Sequence, residues 1–170
     1  TTPDAVPHLL DKKNVDMLVG HKVFTEAELK SRCEIQLENY CKTVIIEANT
    51  MVSMAKTLIA PAIEAYAADV AKAVAAKRIV DAELPCKYES KLIKNLSALT
   101  DRIAGCIEEL EKALQELHKA KNVSEEALAI RDNVLEKMNV LRVACDEAEL
   151  LTAKKYWPFP TYSDLLFGVK

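Results

Sequence analysis

Thr25-Glu26-Ala27-Glu28-Leu29-Lys30-Ser31-Arg32-Cys33 opens the stretch whose reading decides the fold, which runs to about Val80. From there Cys33, Leu37, Tyr40, Val44, Glu47, Met51, Met54 and Leu58 recur at alternating steps of four and three. That spacing lays one stripe of side chains along a single helix face. Thr25 suits the N-cap, where its hydroxyl takes up a free backbone N–H of the first turn. Glu28 can return the bond to the cap's own N–H, closing a capping box. No glycine interrupts the run, and its one proline is Pro61. A proline inside a helix removes one backbone bond and crowds the preceding turn. The spacing therefore predicts one very long helix over 25–80, about 80 Å long at 1.5 Å per residue and kinked near Pro61, with a break into two helices there as the competing outcome.

Working outward, Ala62, Ala65, Ala67, Ala68, Ala71, Ala73, Ala75 and Ala76 crowd the second half of that helix. Alanine favours helix and permits close approach of a neighbour. Asp81 to Pro85 reads as a turn. A second helix is expected over 86–121, because Leu92, Leu96, Leu99, Ile103, Cys106, Leu110, Ala113 and Leu117 step by four and three without a fault. Such a repeat keeps a seam facing a partner helix. Gly105 within it suggests close approach of a neighbour, while Glu108, Glu109, Glu111, Lys112, Glu116 and Lys119 form a solvated face. Ser124 is the expected cap of a third helix over 125–154, with Ala127, Val134, Met138, Leu141, Cys145 and Ala148 on its stripe. Short connections make sequential helices pack antiparallel. The expected fold is all-α, an elongated antiparallel three-helix bundle with one very long helix.

Two flanks complete it. Residues 1–24 form a leading segment, extended at Pro3 and Pro7, then a short helix from about Asn14 to Gly20, which ends in Gly20's left-handed turn. Residues 155–170 form an aromatic tail holding the single tryptophan and two of the three phenylalanines. Pro158 and Pro160 forbid regular helix before Thr161, which with Asp164 can cap a last short turn. Aromatic tails this dense fold back or dock on a neighbour, which makes Trp157, Phe159 and Phe167 candidate interface residues.

Counting back from the Asp81 turn, the second helix runs out near Ile45 to Met51. The apolar stripe of Thr25 to Tyr40 then needs a cover: the leading segment, a missing part of the protein, or another copy. Leu37 and Tyr40 are the candidate interface positions on it. Glu47 lies on the same stripe and is expected to be a buried carboxylate held by a structural hydrogen bond or an ion pair with a basic residue of a neighbouring helix, with a ligand contact at a domain joint as the functional alternative.

Composition excludes several functions. Half of the 170 residues are hydrophobic, only 5% aromatic, and the formal charge is −3, so no basic footprint for nucleic acid stands out. The most apolar stretch, Val70 to Val80, is too short for a membrane span and carries Lys72, Lys77 and Arg78. Five cysteines without a CxxC pair suggest buried thiols in a reducing cytosol. The first residue, not a methionine, reads as a cut inside a longer protein. Three scattered glycines make no phosphate loop, and no GxSxG elbow occurs. His118 has Gln115 three residues before it in place of a di-iron carboxylate. His8 and His21 read as surface or capping groups. No catalytic, cofactor-binding or metal residue is assigned.

The run Lys22-Val23-Phe24-Thr25-Glu26-Ala27-Glu28-Leu29-Lys30-Ser31-Arg32, with Glu38-Asn39-Tyr40, Lys42-Thr43, Ile46-Glu47-Ala48 and Met54-Ala55-Lys56, resembles the C-terminal region of type III glutamine synthetases. So do the opening Thr1-Thr2-Pro3-Asp4-Ala5 and the ending Trp157-Pro158-Phe159-Pro160-Thr161-Tyr162. The resemblance implies a parent enzyme that joins ammonia to glutamate with ATP and Mg or Mn, a cytoplasmic dodecamer of two hexamers. Its sites would lie in an upstream catalytic domain. Upstream domain and neighbouring subunits are the implied partners, with no nucleic acid or membrane. These residues would be a non-catalytic helical extension with a structural, subunit-contact or regulatory role. Read from the residues alone, the alternative is a self-standing helical, coiled-coil interaction module.

Overall fold

The computed structural model describes residues 1–168 and is all-α: 84% helical, with no strand among the described residues. In order come α1 (Thr2–Ala5), a 3-10 turn (Val6–Leu10), α2 (Lys12–Gly20), α3 (Glu26–Met54), a π-turn (Ala55–Ile59) and α4 (Ala60–Val80). Then follow α5 (Lys87–Glu116), a 3-10 turn (Leu117–Lys119), α6 (Val123–Ala129), a second π-turn (Ile130–Val134), α7 (Leu135–Leu151) and α8 (Tyr162–Phe167). From Glu26 to Val80 the helix runs 55 residues without a break.

Its start is the predicted capping box. The Thr25 N–H donates to Glu28 Oε2 at 2.7 Å, and the Glu28 N–H donates to Thr25 Oγ1 at 3.2 Å. At Pro61 the chain uses a π-turn. The Ala60 N–H reaches back five residues to the Ala55 carbonyl, and the Thr57 hydroxyl donates to the Ser53 carbonyl at 2.8 Å. One extra residue in the turn widens the helix where the proline ring would crowd the carbonyl four residues earlier.

The buried face differs from the heptad stripe. It runs Leu29, Cys33, Leu37, Cys41, Val44, Ala48, Val52, Ala55, Ile59, Ile63 and Ala67. From Cys33 to Ala55 the steps are 4, 4, 3, 4, 4, 3, an 11-residue repeat averaging about 3.67 residues per turn. Across the π-turn the steps stay at four, as an inserted residue requires. Glu47 consequently falls beside the seam and is exposed, which corrects the expected buried carboxylate. The seam is carried by small residues, Cys41, Ala48 and Ala55, whereas counting large side chains selects Tyr40, Glu47, Met51, Met54 and Leu58.

Two compact units organise the chain. The first combines Thr1–Thr50 with Leu110–Met138. Its core holds Leu29, Leu37, Leu110, Ile130 and Val134, with Val6 from the leading segment. The end of α5 lies beside Ile45 and Asn49, where Glu111, Leu114, Gln115 and Leu117 share a groove with them. That is where length counting ends the second helix.

The leading segment is helical where an extended start was expected. Pro3 and Pro7 sit in first turns, whose N–H groups need no intrahelical partner, and Thr1 with Asp4 forms a second capping box. Gly20 does not take the left-handed conformation; Lys22 does, at φ 56°. The Val23 N–H bonds the Leu18 carbonyl and the Lys22 N–H bonds that of Val19, both at 2.9 Å, a Schellman ending with a lysine at its strained position. The cap of α6 is Asn122, not Ser124: its Oδ1 accepts from the Glu125 N–H at 2.9 Å.

The second unit combines Met51–Glu109 with Asn139–Lys170. Its core is Ile63, Leu96, Ile103, Leu141, Ala144 and Ala148. The turn after α4 is fixed by the Glu83 N–H donating to Asp81 Oδ1 at 2.9 Å. Lys77 pairs with Glu89, and Arg102 with Glu147 at 2.6 Å. Gly105 faces open space, with nothing within 4 Å of where a Cβ would stand, so close approach does not explain it.

Candidate functional site

The structure answers the uncovered stripe from inside the first unit. Leu37 is only 2% exposed, so the expected interface role is corrected. The leading segment lies against this region: Cys33 Sγ faces the Val6 carbonyl at 3.7 Å, and Pro3 and Val6 are buried. A charged latch holds that segment. Arg131, on the second π-turn, donates through Nη1 to Asp4. Its Nε and Nη2 grip both oxygens of Asp132 at 2.6 and 2.9 Å. Hydrogen bonds from Thr1, with Arg131 adding to them, hold the Asp4 carboxyl down to about 2.

Tyr40 lies beside the latch. Its residue is half-buried, and its hydroxyl is buried without a hydrogen-bond partner. Burial pushes its pKa up, with the Cys41 thiol and the charged Arg131, Asp132 and Asp4 close by. Next to it Thr2, Gln36, Asn39, Thr43, Val44 and Glu47 line an open groove of about 410 Å³. Glu47 is thus a rim residue, able to offer a carboxylate to a polar partner.

In the second unit the tail folds back at one point. Tyr156 packs its ring on Tyr66, centroids 5.2 Å apart, and its hydroxyl donates to Asp69. Trp157 and Phe159 are half-buried and meet edge to face at 6.2 Å. Thr161 caps α8 with Asp164 as expected: the Asp164 N–H donates to Thr161 Oγ1 at 3.3 Å and the Thr161 N–H returns to Asp164 at 2.9 Å. Lys154 also pairs with Asp164. Past that cap, Leu165, Leu166 and Phe167 are 69%, 67% and 79% exposed. This leaves three apolar side chains of α8 exposed.

Among the described residues no group of three or more His, Cys, Asp or Glu is placed to hold a metal ion. His8 pairs with Asp11 at 2.9 Å, and His118 faces the Gln115 carbonyl. Cys33, Cys41, Cys86 and Cys145 are buried thiols, but Cys106 is only half-buried. No helix among these residues is long and apolar enough to cross a membrane. Sequence reasoning missed the Arg131–Asp4 latch, since nothing local links residues 127 positions apart. The Asn122 cap did leave a signal, an Asn three residues before Glu125.

Comparison with known proteins accords with the residue-level resemblance. Residues 1–78 match the family described as the glutamine synthetase C-terminal domain. The chain is 31% identical over 169 residues to a glutamine synthetase of Butyrivibrio fibrisolvens, covering 99% of this chain and 24% of that protein. It is 29% identical over 171 residues to a type-3 glutamine synthetase of Dictyostelium discoideum, covering 98% and 23%. A glutamine synthetase of Bacteroides fragilis is 27% identical over 169 residues, covering 97% and 23%. The chain therefore spans about a quarter of the length of these relatives.

Proposed function

On the premise that this chain is the helical C-terminal region of a type III glutamine synthetase, we propose that it is a non-catalytic domain. Its role is structure, subunit contact or regulation. The parent is a cytoplasmic, ATP-dependent glutamate–ammonia ligase using Mg or Mn, with those sites in the upstream catalytic domain and the parent a dodecamer. Partners are that upstream domain and neighbouring subunits.

The observation that carries this reading is the latched leading segment. Residues 2–10 are helical, partly buried and bound through Asp4 to Arg131. A segment held this way passes on the position of whatever precedes it. The exposed Leu165, Leu166 and Phe167, together with Trp157 and Phe159, are the tail's surface for a neighbouring subunit.

Calorimetry tests the non-catalytic half: the isolated chain is expected to show no ATP binding and no synthetase activity, and stoichiometric ATP binding would sink the proposal. The joint half is tested in the full-length protein. Arg131→Ala is expected to speed amide exchange in residues 2–10 and to alter activity or assembly without touching an active-site group. Unchanged exchange and unchanged assembly would remove the latch from the account.

A further inference from the structure

Arg102 and Glu147, paired at 2.6 Å, place α5 beside α7 within the second unit. One turn further along α5 stands Cys106, and two residues back along α7 stands Cys145. Both lie on the inner faces: Ile103, Ile107 and Leu110 flank the first, and Leu141, Ala144 and Ala148 flank the second, all buried. Ala144 and Ala148 have no side chain beyond Cβ, which favours a short approach of α5 to α7. We propose that Cys106 and Cys145 form a redox site that closes into a disulfide between α5 and α7.

The two thiols differ in access. Cys106 is half-buried and open to a small oxidant; Cys145 is 8% exposed. Burial, with Asp146 and then Cys106 beside it, pushes the Cys145 thiol up to about 11. Cys145 therefore resists direct attack, and Cys106 is the first to react. With hydrogen peroxide the Cys106 thiolate breaks the O–O bond, becoming a sulfenic acid and releasing water once protonated. The Cys145 sulfur then attacks the Cys106 sulfur, its proton leaves, and the sulfenic oxygen departs as a second water. Two thiols are oxidised and one peroxide is reduced. The bond would tie α5 to α7 across the loop holding α6, and the constraint falls mainly on the unfolded chain.

The test titrates the purified chain with hydrogen peroxide, blocks remaining thiols, and maps peptides by mass spectrometry. A Cys106–Cys145 linked peptide is expected, lighter by two hydrogens, with a higher Tm that dithiothreitol reverses. Cys106→Ser and Cys145→Ala should each abolish the link and the Tm shift; Cys106→Ser, at the half-exposed position, keeps the test valid if Cys145→Ala folds poorly. Cys106 recovered as a sulfinic acid with Cys145 still free would overturn the proposal. Links from either residue to Cys33, Cys41 or Cys86 would overturn it as well.

Discussion

The two halves of the long helix are built on different terms. Helix α3 buries Leu29, Cys33, Leu37, Cys41, Val44, Ala48 and Val52 along one face. Helix α4 buries only Ile63 and Ala67, and ends with Ile79 and Val80 at 86% and 84% exposed. Yet α4 is the richer in alanine and the poorer in charge. Burial thus follows the neighbours that the chain supplies, here the leading segment and residues 110–138 of the same unit, and not the hydrophobicity of the helix itself. Helix α4 leans on alanine's propensity, while α3 draws on side-chain burial, about 1.5–3 kcal/mol for each large aliphatic residue.

The widest gap between the halves should appear in truncations. Leu37→Ala is expected to lower the stability measured in urea by about 2–5 kcal/mol, because its site is closed on all sides. Ile79→Ala should change it by less than about 0.5 kcal/mol. Equal losses at both positions would mean that the C-terminal end of α4 is covered in solution.

Smaller effects sharpen the contrast. Asn122→Ala removes the cap of the helix that carries the latch arginine and should cost about 1 kcal/mol. The same denaturation curves check it, and Ser124→Ala should be nearly silent. In the other direction, Lys22→Gly relieves the one left-handed non-glycine residue ahead of α3. Gly105→Ala fills open space in mid-helix. Each is expected to raise stability by about 0.5–1 kcal/mol.

A pH experiment also separates the halves. Burial first, then Glu126, pushes the Cys41 thiol up from 9.0 to about 11. A raised pKa in the folded state means that the fold favours the protonated thiol. Its contribution is complete below pH 9.0 and fades as the pH rises toward about 11. Helix α4 has no cysteine. Cys145 in the second unit carries a like shift, so Cys145→Ala is the background; in it, amide exchange in residues 33–48 should accelerate over that interval before exchange in residues 63–67 does, and adding Cys41→Ala should flatten the difference. Simultaneous acceleration would assign the pH effect to the whole chain.

Local chemistry made much of this protein legible in its residues. The Thr25–Glu28 box, the Thr161–Asp164 cap and the Asp81 turn each need partners only two or three positions apart, so reading the chain finds them. The seam of α5 was legible too, because its large aliphatics carry it. In α3 the seam runs through Cys41 and Ala48, residues small enough to suit either face, and a heptad count slips onto Glu47 and Met51. The α6 cap was misplaced by two residues because Ser124 and Asn122 offer similar oxygens to the same turn.

What the sequence by itself determined is therefore the helical class and the main helix starts and turns. Hydrogen bonds within a turn and backbone propensity settle those without help from distant residues. Only the tertiary structure decided which face of α3 is buried, that a π-turn carries the helix past Pro61, and that Arg131 holds Asp4. Those outcomes depend on contacts between positions far apart in the chain, whose energy exists only after the helices have met.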